Sequence, residues 1–166
     1  MDVNTLKSVY FIGAGGIGMS ALVRYFLSKG KKAGGYDRTP SELTMKLIEE
    51  GADIHYEEAP EKIPAEFKDP ESTLVVYTAA MPEDHILLQY FRKHGFTIYK
   101  RAQVLGMLTR SSKGLCAAGT HGKTTTSTMT AHLLHQSQVG CDAFLGGISK
   151  NYGTNLLLSD SSAYVV

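Results

Sequence analysis

Tryptophan is absent from this 166-residue sequence, and cysteine occurs only twice. Cys116 and Cys141 cannot build a disulfide framework and lack the paired spacing of a zinc site, so free thiols in a reducing compartment are expected. An excess of either charge is also missing. Seventeen Lys and Arg stand against sixteen Asp and Glu, so no broad basic surface draws the chain toward nucleic acid or a membrane. No apolar run approaches the ~20 residues of a membrane-spanning helix. Met1 to Thr5 carry no charged segment leading into an apolar one, so no signal peptide is expected and the reading is cytoplasmic, without membrane insertion. Internal repeats and low-complexity tracts are lacking too.

What is present is an ordinary globular composition, 43% hydrophobic and 20% charged, in a chain long enough to bury a core without staples. Short apolar, β-branched runs alternate with helix-periodic segments. Lys7 to Ile12, Lys31 to Tyr36, Asp53 to Tyr56, Thr73 to Tyr77, Thr97 to Tyr99 and Gly114 to Ala118 read as strands. Helices are predicted from Gly16 to Lys29, from the N-cap Ser41 to Glu50, from Pro82 to Lys93, and from Arg101 to Leu108. Pro60, Pro64 and Pro70 punctuate a loop. The alternation predicts an α/β fold: a Rossmann-like parallel sheet with helices on both faces. A new strand–loop–helix unit then begins the next domain, with residues 1–108 and 109–166 as the two parts. The closing run Ala163 to Val166 has no turn after it, which reads as a strand interrupted inside a domain.

Two glycine loops carry the chemistry. Gly13-Ala14-Gly15-Gly16-Ile17-Gly18 matches G-x-G-x-x-G between a predicted strand and a predicted helix. In that pattern Gly13 permits the tight turn, Gly15 lets a diphosphate approach the backbone, and Gly18 lets the helix pack on the strand. The helix N-terminus supplies N–H groups and a positive dipole end. Asp37, closing the second strand, is a candidate ribose contact. The loop alone does not separate a dinucleotide such as NAD from a UDP-sugar.

Gly119-Thr120-His121-Gly122-Lys123-Thr124-Thr125 has the Gly-Lys-Thr core of a P-loop. Lys123 would reach the β and γ phosphates, Thr124 would ligate Mg²⁺, and the backbone from Thr120 to Thr125 would cradle the phosphates. Ala117 stands where the usual pattern has its first glycine, so the loop is a variant. Two phosphate loops suggest two nucleotides, one carrying a substrate and one supplying ATP chemistry. Other polar residues read as ordinary. His132 and His135 are one helical turn apart but have no evident third ligand. His55, His85 and His94 are isolated, and Glu57, Glu58 and Glu61 form a solvated acidic cluster.

Tyr10 to Ala21 (YFIGAGGIGMSA), Gly119 to Thr126 (GTHGKTTT) and Ala143 to Leu156 (AFLGGISKNYGTNL) resemble the Mur ligase family, in the form typical of its L-alanine-adding member. That resemblance implies an N-terminal domain that binds UDP-N-acetylmuramate and a central domain that binds ATP and Mg²⁺. It also implies an ATP-dependent acid–amino-acid ligase that joins L-alanine to the sugar nucleotide through an acyl phosphate, in peptidoglycan precursor synthesis. Gly13, Ala14, Gly15, Gly16, Ile17 and Gly18 would hold the diphosphate, with Asp37, Thr78 and Ala79 lining the substrate site. Gly119 through Thr125 would hold ATP, Lys123 would neutralise transferring charge, and Thr124 would be the metal ligand. The segment after Val166 should carry further acidic metal ligands, so these residues alone are expected not to ligate. The alternatives are a non-catalytic, dinucleotide-sensing Rossmann module and the related ligase that recycles muropeptides.

Overall fold

A computed structural model describes residues 6–110, 112–160 and 163–166. Residues 1–5, on which part of the leader reading rests, lie outside the described residues, as does Ser111 in the expected connection between domains. The chain forms two compact units, Met1–Val104 and Leu105–Val166.

The first unit is built on a five-stranded sheet in the order β3-β2-β1-β4-β5, every neighbouring pair parallel. The strands are β1 (Ser8–Ile12), β2 (Lys32–Tyr36), β3 (Asp53–His55), β4 (Thr73–Tyr77) and β5 (Thr97–Lys100). Helices α1 (Ile17–Ser28), α2 (Glu42–Glu49) and α3 (Ile86–Lys93) follow β1, β2 and β4, and α4 (Arg101–Thr109) follows β5, beginning in this unit and ending in the second. All five residues of β1 and all five of β4 are buried. A central parallel strand is covered on both faces, so it reads as a continuous apolar run rather than an alternating one.

Alternation decides which face each side chain serves. Tyr10 and Ile12 join Val75 and Tyr77 in a cluster with Phe67, Leu87, Leu88 and Phe91, on the side of α3 and the proline loop. Phe11 points the other way, its ring 6.2 Å from that of Phe26 on α1. The proline loop is not structureless: Pro60–Lys62 and Ala65–Phe67 are single 3₁₀ turns, and the second drives Phe67 fully into the core. Gly34 leaves room for it, since a Cβ there would lie 2.6 Å from the Phe67 ring.

Ser41 caps α2 as expected. Its hydroxyl accepts from Thr44 N while the Thr44 hydroxyl accepts from Ser41 N, a reciprocal box that satisfies two end donors. The predicted helix from Pro82 instead begins at Ile86. Residues 82–85 form a turn, with His85 N donating to Pro82 O, and the Glu83 carbonyl is taken by the Gln89 and Arg92 side chains of α3. Those bonds hold the turn back over the helix end and remove it from the helical ladder.

The second unit contains β6 (Lys113–Gly114), α5 (Lys123–Gln136), β7 (Ala143–Phe144), β8 (Leu156–Leu157) and β9 (Tyr164–Val165). β6 pairs in parallel with β9, β7 pairs antiparallel with β8, and an Asp142–Val165 bridge joins the two ladders. The strand expected over Gly114 to Ala118 is reduced to Lys113–Gly114. Its partner β9 pairs with it at Tyr164 and Val165, and among the described residues no ladder bond continues it beyond Leu115 N, which donates to Val165 O. Ala131, Cys141, Ala143, Leu145 and Leu157 form this unit's core.

Candidate functional site

The first glycine loop leaves β1 at the point where strand order reverses, between β1 and β4. Ligands of open α/β sheets bind in the crevice outside the strand ends at such a point. Gly13 turns the chain with φ +88°, a conformation L side chains rarely adopt. Gly13 N and Ala14 N both donate to Tyr36 O, at 2.8 and 3.0 Å, which ties the loop to the end of β2. Gly16 is the N-cap of α1. It offers no side-chain cap, and the first helical turn holds no acidic residue. That helix end therefore keeps its capacity for an anion.

The structure brings Asp37 into this loop in an unexpected way. One carboxylate oxygen accepts from Gly15 N at 2.6 Å, so in the free protein it is bound to the glycine loop. Gly15 is needed for this packing as well as for any ligand: a Cβ there would lie 2.7 Å from Thr44 Cγ2 and 2.9 Å from Asp37 Oδ2. Gly18 also differs from expectation. A Cβ there would meet the Arg101 side chain, at 3.0 Å from Nη1, rather than the neighbouring strand. Thr78 packs on Gly13, whose added Cβ would sit 3.0 Å from Thr78 Cγ2, while Ala79 is exposed beside it.

A cavity of about 520 Å³ opens against this loop, lined by Gly13 and Asp37 together with Arg38, Glu58, Ala80 and His85. Sequence reasoning missed Arg38, Glu58 and His85. The His85 side chain is 7% exposed, with Nε2 3.3 Å from Glu58 Oε1 and its ring 5.4 Å from that of Tyr36. Among the described residues, His85 Nδ1 has no hydrogen-bond partner. Burial and the Glu58 carboxylate, in that order, push the Tyr36 hydroxyl above its ordinary pKa. Glu58 read as part of a solvated cluster and His85 as an ordinary histidine; only the fold brings them to one wall. Below, Tyr10 donates its buried hydroxyl to His55 Nε2 at 2.6 Å, with His55 Nδ1 3.0 Å from Glu57 O. Burial, the larger effect, holds His55 below its ordinary pKa.

In the second unit, Gly119 (φ +144°) and Gly122 (φ +77°) shape the loop, and Gly122 is the N-cap of α5. Thr120, His121, Lys123, Thr124 and Thr125 are all exposed. Lys123 Nζ folds over the loop and donates to Gly119 O (2.6 Å) and Thr120 O (3.0 Å). Thr124 is held close to Gly146, where a Cβ would lie 2.9 Å from Thr124 Oγ1. His132 and His135 turn toward Tyr152: His132 Nδ1 is 2.7 Å from its hydroxyl, and the His135 ring meets it edge-on at 5.3 Å. Among the described residues, no group of three His, Cys, Asp or Glu side chains could hold a metal, and no helix is long and apolar enough to cross a membrane.

With this geometry in place, comparison with known proteins gives one family. The model of the Mur ligase family, catalytic domain, matches residues 8–113. UDP-N-acetylmuramate–L-alanine ligases of Phocaeicola vulgatus and Parabacteroides distasonis are 80% and 66% identical to this chain over 166 residues. Both alignments take in the whole chain and 36% of the relative, so the chain spans about a third of the length of these proteins. Among solved structures, UDP-N-acetylmuramate-alanine ligase from Thermotoga maritima superposes with a TM-score of 0.83 at 29% identity, over 95% of this chain and 36% of that one. The UDP-N-acetylmuramate:L-alanyl-γ-D-glutamyl-meso-diaminopimelate ligase of Neisseria meningitidis has a TM-score of 0.85 at 23% identity, over 96% of this chain and 51% of that one, and shares the fold. The strand order, the glycine loop at its switch point and the family match over most of the chain agree: the chain belongs to the Mur ligase family.

Proposed function

We propose that this chain is the sugar-nucleotide-binding part, and the start of the ATP-binding part, of a ligase that joins L-alanine to UDP-N-acetylmuramate in peptidoglycan precursor synthesis. The observation that carries the reading is 80% identity across all 166 residues to a ligase of that name, in a chain with a phosphate loop in each compact unit. Residues 1–108 would bind the UDP portion. The diphosphate would lie along Gly13 to Gly18 at the N-terminus of α1, and the cavity beside Gly13 would take the nucleoside. Thr78, packed on Gly13, and Ala79 would flank the ligand, and Asp37 would exchange its bond to Gly15 N for contacts to it.

Residues 109–166 would begin the ATP domain. The left-handed glycines at 119 and 122 turn the loop around its own backbone, and Lys123 spans it with an ammonium that now rests on two carbonyls. Those features suit a polyphosphate: Lys123 would exchange the carbonyls for phosphate oxygens, and the Thr124 hydroxyl would ligate Mg²⁺. When bound, ATP would supply the phosphoryl group that activates the substrate carboxylate toward the alanine amine.

The alternative, a regulatory module sensing a dinucleotide, assigns no task to Lys123. Thermal unfolding with separate ligands separates the two, because a ligand specific for the native state at 100 times its Kd stabilises by about 2.7 kcal/mol. UDP-N-acetylmuramate is expected to raise Tm and NAD to leave it unchanged. A rise with NAD alone would overturn the reading.

A further inference from the structure

Arg101 opens α4, and its guanidinium lies across Gly18 in the first turn of α1; a Cβ at Gly18 would be 3.0 Å from Nη1 and 3.2 Å from Cζ. The side chain is half-buried. Among the described residues it takes part in no ion pair and no hydrogen bond. Its surroundings add positive potential. The N-terminus of α1 carries no side-chain cap and no acid in its first turn, and the first turn of α4 also lacks an acid. A helix N-terminus carries about half a positive charge, so a guanidinium lying across the first turn of α1 favours a bound anion there. The Asp37 carboxylate is bound to Gly15 N, not to Arg101.

We propose that Arg101 holds the diphosphate of the nucleotide at the first glycine loop, donating to its oxygens from the Gly18 side while the backbone of α1's first turn donates from below. The inference rests on the nucleotide reading above. A planar guanidinium suits this task because it presents paired donors to phosphate oxygens. It also gives Gly18 a second reason to be glycine, since any side chain there would displace Arg101 from the loop.

The test is an NMR titration of the whole chain, and of its Arg101→Ala, Arg101→Gln and Arg101→Lys variants, with UDP and with uridine. The same spectra report whether each variant is folded. UDP affinity is expected to fall about tenfold to a hundredfold in the Ala and Gln variants. Arg101→Lys should keep part of it, and uridine affinity should hold in all three. Salt dependence of UDP binding should become shallower without the guanidinium. Undiminished UDP binding by Arg101→Ala and Arg101→Gln would overturn the assignment and leave the nucleotide site standing, as would equal losses for UDP and uridine, which mark a structural role. If the unsubstituted chain binds neither ligand, the nucleotide reading fails and this assignment with it.

Discussion

Replacing Gly15 with alanine tests how the first loop is built. The added methyl would lie 2.7 Å from Thr44 Cγ2 and 2.9 Å from Asp37 Oδ2. Thr44 has little freedom to retreat. It is fully buried, and its hydroxyl is bound to Ser41 N (2.8 Å) and to the Tyr56 hydroxyl (3.0 Å). Asp37, half-buried, is the side that gives, and moving it breaks the 2.6 Å bond to Gly15 N. Crowding of this kind costs about 1–3 kcal/mol, and a hydrogen bond to a charged group contributes about 1.5–3 kcal/mol. Since yielding by Asp37 relieves part of the first cost, a net loss of ~2–3 kcal/mol is expected. For a chain of this size that lowers Tm by roughly 4–12 °C. Gly16→Ala is the control, because the nearest atom to a Cβ there is 3.7 Å away, and it should cost under about 1 kcal/mol. Thermal unfolding followed by circular dichroism reads both. A Gly15→Ala chain as stable as its parent, or no more affected than Gly16→Ala, would refute this account of the loop.

Phe67→Ala should lose about 3–5 kcal/mol, the usual cost of emptying an aromatic site in a core; a urea midpoint shift equivalent to under 1 kcal/mol would contradict the packing of Phe67 on Tyr10 and Gly34. Stability should hold above about pH 6.5 and decline as pH falls below it. Burial lowers the folded pKa of His55, so the unfolded chain takes up a proton that the folded one refuses until pH passes through that lowered value. His55→Gln should flatten that slope in urea unfolding at pH 7.5 and 5.5, and an unchanged slope would remove His55 as the cause. Lys123→Ala should leave stability within about 0.5 kcal/mol, because Nζ is bound only to exposed loop carbonyls, while calorimetry should show Mg-ATP binding weakened at least tenfold. Retained affinity would deny Lys123 a phosphate role. Thiol labelling of the native chain should modify exposed Cys116 quickly and Cys141 slowly, since the latter is buried and its thiol is pushed up by burial; equal rates would contradict the packing of the second unit.

The parallel sheet was legible because its signals are local. Five apolar runs, glycine stops and the Ser41 cap each act within a few residues, and β1 to β5 fall where the runs lie. The glycine loop was legible for the same reason. What escaped depended on contacts between distant residues. Glu58 and His85 carry no local sign that they share a wall, because the 3.3 Å approach exists only once β3 and β4 lie in one sheet. The Pro82 start failed because the bonds that peel residues 82–85 from α3 come from Gln89 and Arg92 side chains, which periodicity does not register. The strand over Gly114 to Ala118 failed because its extent is set by β9, fifty residues on in the chain. Gly15 and Gly18 were recognised as glycines with a purpose, but the atoms that require them belong to Thr44, Asp37 and Arg101.

On the proposed reading, the crevice between β1 and β4 would bind a uridine diphosphate. A crystal structure of this chain grown with UDP-N-acetylmuramate tests it most directly. The diphosphate is expected against Gly13 to Gly18 at the start of α1 and the pyrimidine in the cavity beside His85. Density for the ligand elsewhere on the chain, or a loop that accepts only a nicotinamide dinucleotide, would contradict it.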